Sequence, residues 1–166
     1  MPSPTMQREI GALKVGVEIG GLDREETCDG QGFSPLVRLE GLRSPYLALI
    51  MEDAGPPHST YWMLWNVPRQ EEIPRRLPPS AELEEPIVGR QGRNARGGFG
   101  YAAPCPSDRE GRYVLRAYGL DRELDLDCGT ATREDLVRAA EEHAREYGED
   151  VLTYSKKHRW SSSADW

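Results

Sequence analysis

The side chains of this chain that are most able to do chemistry are few and widely spaced. Cysteine and histidine occur three times each, at Cys28, Cys105, Cys128, His58, His143 and His158. An odd number of cysteines without a C-x-x-C pair predicts neither a disulfide framework nor a zinc site, and the histidines have no metal-ligand spacing. The sequence therefore predicts no metal and no cofactor.

Catalytic groups are equally hard to assemble from the sequence. A serine or cysteine nucleophile needs a base within reach and a third group that orients the base. The 166 residues contain no G-x-S-x-G motif. We therefore expect a protein that is not an enzyme, and a small hydrolase is the weaker alternative.

Charge and hydropathy bear on the partners of the protein. The net charge of -7 argues against nonspecific nucleic-acid binding, which needs clustered lysine and arginine. Basic residues occur in short groups such as 90–96 and 156–159, where polar residues interrupt them, so we expect solvated loops or tails there. No apolar stretch approaches the roughly 20 residues that span a bilayer, and no signal peptide is visible. We expect a cytoplasmic protein without stable membrane insertion.

The elements that would position functional residues are predicted to be mostly short strands. The chain contains 13 prolines and 17 glycines, a composition that is typical of strands joined by tight turns. Apolar residues predict four strands, at residues 13–19, 45–51, 61–67 and 112–120. The middle two are continuously apolar, which predicts central strands covered on both faces. In the last strand, Tyr113, Leu115 and Ala117 share one face. Residues 69–111 are rich in Pro and Gly, and we expect an ordered, packed loop.

One helix is predicted near the C-terminus. Thr132 can cap it, Glu134 and Asp135 complement its N-terminal dipole, and Gly148 suits the position just past its end. An apolar stripe at helical spacing runs along this segment, through Leu136, Ala139, Ala140, His143 and Tyr147. Beyond it the sequence predicts only a short strand or a turn of helix, followed by a frayed tail.

Three separated segments resemble the phosphatidylethanolamine-binding protein family. They are TCDGQGFSPLVRLEGL, LALIMEDAGPP with the following YWMLWNVP, and GFGYAAPCPSDREGRYVLRAYGLD; the segment GTATREDLVRAAEEHA matches the family's late helix. The resemblance implies a mainly β fold, an antiparallel Greek-key β-sandwich with a large central sheet, a smaller sheet and a C-terminal helix. It also implies one domain over residues 12–155, with terminal extensions at 1–11 and 156–166.

The resemblance further implies a small pocket that binds phosphate-like groups. Carried over motif by motif, its residues are Asp53, Tyr61, Tyr101, Ala103, Pro104, Cys105, Pro106, Gly111, Arg112, Tyr113 and Tyr154. Two positions that hold histidine in the family are Tyr61 and Gly111 here. A charge-assisted hydrogen bond is worth about 1.5–3 kcal/mol, so losing two without replacement weakens phosphate binding by roughly 10²–10⁴-fold. We therefore predict a pocket that is reduced or re-specified.

Several residues keep alternative interpretations. Arg112 either contacts ligand or is a buried ion-pair partner of Asp53 or of another carboxylate. His58, in the turn after Asp53, either replaces a lost imidazole or is an exposed turn residue. Cys105 is expected to be an idle thiol, since nothing in the sequence predicts a lowered pKa.

Function follows from the family only in outline. The resemblance implies a binding module that recognises a small anionic ligand and modulates or inhibits a partner kinase or protease. The alternative is a serine-protease inhibitor that acts through an exposed loop, either Glu71–Pro86 or Arg90–Arg96. A homodimer through a sheet face is compatible with prokaryotic relatives.

Overall fold

The computed structural model describes residues 10–17, 21–105 and 110–154. Within these ranges the chain forms ten strands and one α-helix. In chain order they are β1 (Gly11–Ala12), β2 (Lys14–Val17), β3 (Val37–Glu40), β4 (Tyr46–Asp53), β5 (Thr60–Pro68), β6 (Glu72–Ile73), β7 (Glu82–Leu83), β8 (Gly89–Gln91), β9 (Gly111–Leu120), α1 (Arg133–His143) and β10 (Ala144–Tyr154).

The strands form two sheets. The large sheet has seven strands in the order β1-β10-β9-β4-β5-β8-β7, and the small sheet has three in the order β2-β3-β6. The predicted mainly β fold with a large sheet, a smaller sheet and a C-terminal helix is confirmed. One detail differs, because the large sheet is mixed: β1 pairs parallel with β10. This short strand covers backbone groups of β10 that would otherwise form an open edge.

The core has two layers, one on each face of the large sheet. Leu49, Met51 and Trp62 pack toward the small sheet, whereas Ile50 and Met63 pack toward α1 and its neighbours. All five are at most 2% exposed. The prediction that the two central strands are covered on both faces is therefore confirmed, and the continuous apolar runs of β4 and β5 have their physical explanation.

The helix begins as predicted and ends earlier. The Asp135 backbone N–H donates to Thr132 Oγ1 at 3.1 Å, and the Thr132 N–H donates to the Asp135 carboxylate at 3.0 Å. The helix ends at His143, so the prediction that Gly148 lies just past its end is wrong, and so is the placement of Tyr147 on its stripe.

The segment after the helix is the eleven-residue strand β10, which pairs with β9 along its whole length. Ladder hydrogen bonds to β9 outweigh the local preference for another turn of helix. Gly148 is explained by close packing, because a Cβ there would collide with the backbone of Leu13.

The other predicted segments are partly described. The first predicted strand is β2, which begins at Lys14 and is described as far as Val17. Its predicted remainder, Glu18 and Ile19, lies outside the described residues, as do residues 1–9 and 155–166. The long segment 69–111 is not one loop, since it contains the short strands β6, β7 and β8. In the described part of the chain no helix is long and apolar enough to cross a membrane.

Candidate functional site

The ends of three neighbouring strands form an open concavity of about 610 Å³. Asp53 ends β4 and pairs in register with Tyr113 of β9. Tyr61 lies near the start of β5, on the other side of β4. The concavity is lined by Asp53, Ala54, Gly55, Pro56, Tyr61, Cys105, Glu110, Gly111, Arg112 and Tyr113. The register of three antiparallel strands therefore brings together residues that are far apart in the sequence.

Asp53 and Tyr61 form a hydrogen-bonded pair inside this concavity. The Tyr61 hydroxyl donates to Asp53 Oδ2 at 2.9 Å. Burial raises the pKa of Tyr61, and the hydrogen bond to Asp53 raises it further, to about 12. The phenol is therefore protonated at neutral pH, and its single proton is engaged in orienting the carboxylate.

Tyr113 forms the inner wall of the concavity. Its ring meets the Tyr61 ring edge to face, with 5.6 Å between ring centroids. The residue is 2% exposed, and burial raises the pKa of its phenol. Tyr113 is therefore both a core aromatic of β9 and a lining residue of the concavity.

A disulfide between Cys28 and Cys105 closes one side of the site. The two Cα atoms are 5.3 Å apart although the residues are separated by 77 positions. The predictions of no disulfide and of an idle Cys105 thiol are wrong, because the pairing depends on two loops that meet only in the folded chain. The Cys28 N–H also donates to the Pro104 carbonyl at 3.0 Å. Cys128 is a free, buried cysteine.

Four predicted site residues are not among the residues that line the concavity. The Tyr101 hydroxyl donates to the Glu26 carbonyl at 2.6 Å, and the Tyr154 hydroxyl donates to Asp29 at 2.8 Å. Ala103 and Pro104 are buried. These contacts anchor the loop that carries Cys105. Pro106 lies outside the described residues.

Two oppositely charged residues of the lining, Arg112 and Glu110, pair with each other. Arg112 Nε donates to Glu110 Oε1 at 3.2 Å, and both side chains are largely exposed. Arg112 is therefore not a buried partner of Asp53. His58 is an exposed turn residue whose Nδ1 lies 3.2 Å from the Asp53 carbonyl oxygen.

Sequence reasoning missed four lining residues, namely Ala54, Gly55, Pro56 and Glu110. The first three could have been found, because they continue the turn that begins at Asp53. Glu110 precedes the matched Gly111 and had no signal of its own. Among the described residues no group of three or more His, Cys, Asp or Glu could hold a metal ion.

Two packed sheets with a polar concavity at the ends of the central strands define the class of protein. The chain belongs to the phosphatidylethanolamine-binding protein family, whose model matches residues 12–155. A UPF0098 protein of Pyrococcus abyssi is 41% identical over 137 residues, covering 79% of this chain and 76% of the relative. A UPF0098 protein of Archaeoglobus fulgidus is 40% identical over 149 residues, covering 87% of this chain and 50% of the relative.

Two solved structures share the fold. A homologue of phosphatidylethanolamine-binding protein from Chlamydia trachomatis has a TM-score of 0.75 and 27% identity, covering 88% of this chain and 99% of the homologue. YbcL of Escherichia coli, described as a member of the mammalian family, has a TM-score of 0.71 and 19% identity, covering 87% of this chain and 99% of YbcL. At 19% identity the second comparison supports the fold alone.

Proposed function

We propose that this protein is a non-catalytic binding protein that recognises a small molecule with an anionic group, such as a phosphoryl group, at the concavity, and that it modulates a partner protein. One observation carries the proposal. Six residues implied by the family lie on a single concavity whose volume is in the range of small-molecule sites, namely Asp53, Tyr61, Cys105, Gly111, Arg112 and Tyr113.

The charged and polar side chains that line the concavity predict weak binding of simple anions. Arg112 is the cation of the lining, but Glu110 already occupies part of its guanidinium. The Tyr61 proton is donated to Asp53, so this phenol offers no donor to an anion without rearranging. An anion must therefore compete with Glu110 and tolerate the Asp53 charge. We therefore expect inorganic phosphate to bind weakly when these residues act alone.

The test is an NMR titration of labelled protein with phosphate, phosphoethanolamine and acetate. We expect saturable shifts centred on Asp53, Tyr61 and Tyr113. Arg112→Gln should weaken phosphate binding about 10–100-fold, because a charge-assisted hydrogen bond contributes about 1.5–3 kcal/mol.

Arg138→Gln is the matched control, since it removes the same charge from the exposed face of α1, where Arg138 lies 4.0 Å from Asp135. It should leave the titration unchanged. Spectra that do not respond to any of the three ligands would refute the proposed anion site.

The serine-protease-inhibitor alternative stays a prediction. It needs an arginine side chain that can enter a specificity pocket. Arg76 and Arg93 instead stack on Phe33 and Phe99, at 4.4 and 4.5 Å from the ring centroids. Arg90 pairs with a carboxylate of β7 at 3.4 Å. These contacts favour a structural role for Arg76, Arg90 and Arg93.

A further inference from the structure

A tight hairpin over residues 93–99 lies beside the candidate site. An isolated β-bridge joins Arg93 to Phe99, and the Asn94 N–H donates to the Gly98 carbonyl at 2.8 Å. Gly97, at the turn, has φ +86°, a conformation that favours glycine. The Arg93 guanidinium stacks on the Phe99 ring. The hairpin is therefore held by its own backbone and side-chain contacts.

The hairpin is attached to the strand that carries Tyr61. The Ala95 N–H donates to the Thr60 carbonyl at 2.8 Å, and the Ala102 N–H donates to the Tyr61 carbonyl at 2.8 Å. Arg96 directly follows Ala95. Its backbone therefore lies next to the first residues of β5.

The Arg96 side chain extends to the wall of the concavity. Its Nη2 atom lies 3.4 Å from the Sγ atom of Cys105, a lining residue. The charge of Arg96 also acts on the phenols of Tyr61 and Tyr101, where it opposes the rise in pKa caused by burial. The guanidinium therefore lies on the Tyr61 side of the site, whereas Arg112 lies on the β9 side.

The sheet order sets the separation of the two arginines. β4, which ends at Asp53, lies between β5 and β9. Neighbouring strands are about 4.8 Å apart, so the outer two are separated by about 10 Å at the backbone. Arginine side chains on either side of such a gap can converge on one small group above the end of β4.

We propose that Arg96 is a ligand-binding residue of the concavity, and that Arg96 and Arg112 together hold one phosphate group. This inference rests on the proposed function and names the ligand class of that site. A disulfide sulfur is a weak acceptor, so most of the five N–H donors of Arg96 remain for a ligand. A phosphate group offers enough oxygens to accept from both guanidinium groups, whereas a monocarboxylate offers two.

Arg96 takes over the role of a lost histidine in this arrangement. The positions of Tyr61 and Gly111 no longer supply an imidazolium, and the hairpin supplies a permanent cation beside Tyr61 instead. Asp53 still has acceptor sites beyond its bond from Tyr61 and can accept from a protonated phosphate oxygen or a hydroxyl group. The site is thus re-specified rather than lost.

The experiment compares wild type, Arg96→Gln, Arg96→Lys and the control Arg138→Gln in NMR titrations with inorganic phosphate and with acetate at low ionic strength. We expect Arg96→Gln to weaken phosphate binding 10–100-fold, as the loss of one charge-assisted hydrogen bond predicts. The phosphate affinity of Arg96→Lys should lie between those of Arg96→Gln and wild type. Lysine keeps the positive charge but lacks the planar guanidinium that donates two parallel hydrogen bonds. Acetate binding should fall less than threefold in Arg96→Gln.

The outcomes separate this inference from the proposed function. If wild type shows no saturable response to any ligand, the proposed function fails and this inference fails with it. If wild type binds phosphate and Arg96→Gln binds it equally well, only the role of Arg96 is refuted. An equal loss of phosphate and acetate binding would refute the phosphate preference. Circular dichroism of each variant checks that the fold is retained.

Discussion

The Tyr61 hydroxyl orients the Asp53 carboxylate at the end of β4, and this contact shows how single residues set the chemistry of the site. Tyr61 stands where the family resemblance implies histidine. A neutral phenol donates one hydrogen bond to a neighbouring carboxylate, but it brings no positive charge to an anion. Under the function proposed above, the recognition of negative charge therefore falls to the arginines on either side of Tyr61.

Tyr61→Phe tests this pair at the residue scale. The variant removes one oxygen, and water can replace the lost donor at half-buried Asp53, so the free energy of unfolding should fall by only about 0.5–1.5 kcal/mol. The folded-state pKa of Tyr61, about 12, is above its ordinary value of 10.0. Its stabilising contribution is thus complete below pH 10 and lost as the pH rises toward 12.

Urea denaturation measured between pH 7 and 12 checks both expectations. The stability difference between wild type and Tyr61→Phe should shrink above pH 10. A difference that grows with alkaline pH would contradict the assigned donor and acceptor.

At the scale of elements, the helix is joined to the large sheet by a buried carboxylate. Glu52 of β4 accepts from Arg133 of α1 at 2.6 and 3.0 Å and from Arg116 of β9 at 3.1 Å. Arg116 also donates to the Tyr147 hydroxyl of β10 at 3.0 Å. Since Glu52 precedes Asp53, this network fixes the end of the strand that carries the site.

Glu52→Gln should weaken this connection. Removing one member of a buried ion-pair network costs about 3–5 kcal/mol, and partial exposure of both arginines reduces the expected loss to about 2–3 kcal/mol. Burial opposes ionisation of Glu52, but the hydrogen bonds and charges of Arg133 and Arg116 outweigh it, so its pKa lies below the ordinary 4.5. The stabilisation is present above pH 4.5 and lost as the pH falls further.

Denaturation curves at pH 7 and pH 3 measure this effect. The difference in the free energy of unfolding between wild type and Glu52→Gln should be smaller at pH 3 than at pH 7. Glu123→Gln removes an exposed carboxylate from the loop before α1 and should change stability by less than about 0.5 kcal/mol. An equal difference in the free energy of unfolding at both pH values would show that the charge of Glu52 is not the stabilising feature.

At the scale of the whole molecule, the disulfide joins two distant parts of the chain at the site. Cys28 lies in the loop before β3, and Cys105 lies in the loop before β9. The bond, with the Cys28 N–H contact to Pro104, holds the loop that forms one wall of the concavity. Stability and site geometry are therefore linked through one covalent contact.

The double variant Cys28→Ser, Cys105→Ser should be less stable than wild type. A disulfide that closes a loop of this length typically contributes about 2–4 kcal/mol, which corresponds to a melting temperature about 5–15 °C lower for a chain of this size. Wild type treated with a dithiol reductant should melt at the temperature of the double variant. Identical melting of oxidised and reduced wild type would contradict a stabilising disulfide.

Features that depend on local pattern follow from the amino-acid sequence alone. Strands β4, β5 and β9 follow from short apolar runs, and the start of α1 follows from Thr132 and Asp135, because period and capping need only neighbouring residues. The family and the positions of Asp53 and Tyr113 follow from short contiguous segments that resemble family motifs.

Tertiary structure decided the features that depend on distant contacts. β10 is a strand because β9 lies alongside it, and the cysteines pair because two loops meet 77 positions apart. The Arg96 guanidinium lies 3.4 Å from Cys105 because backbone bonds attach its hairpin to β5. In each case the deciding energy comes from hydrogen bonds, a covalent bond or packing between residues far apart in the chain, and no local pattern encodes these contacts.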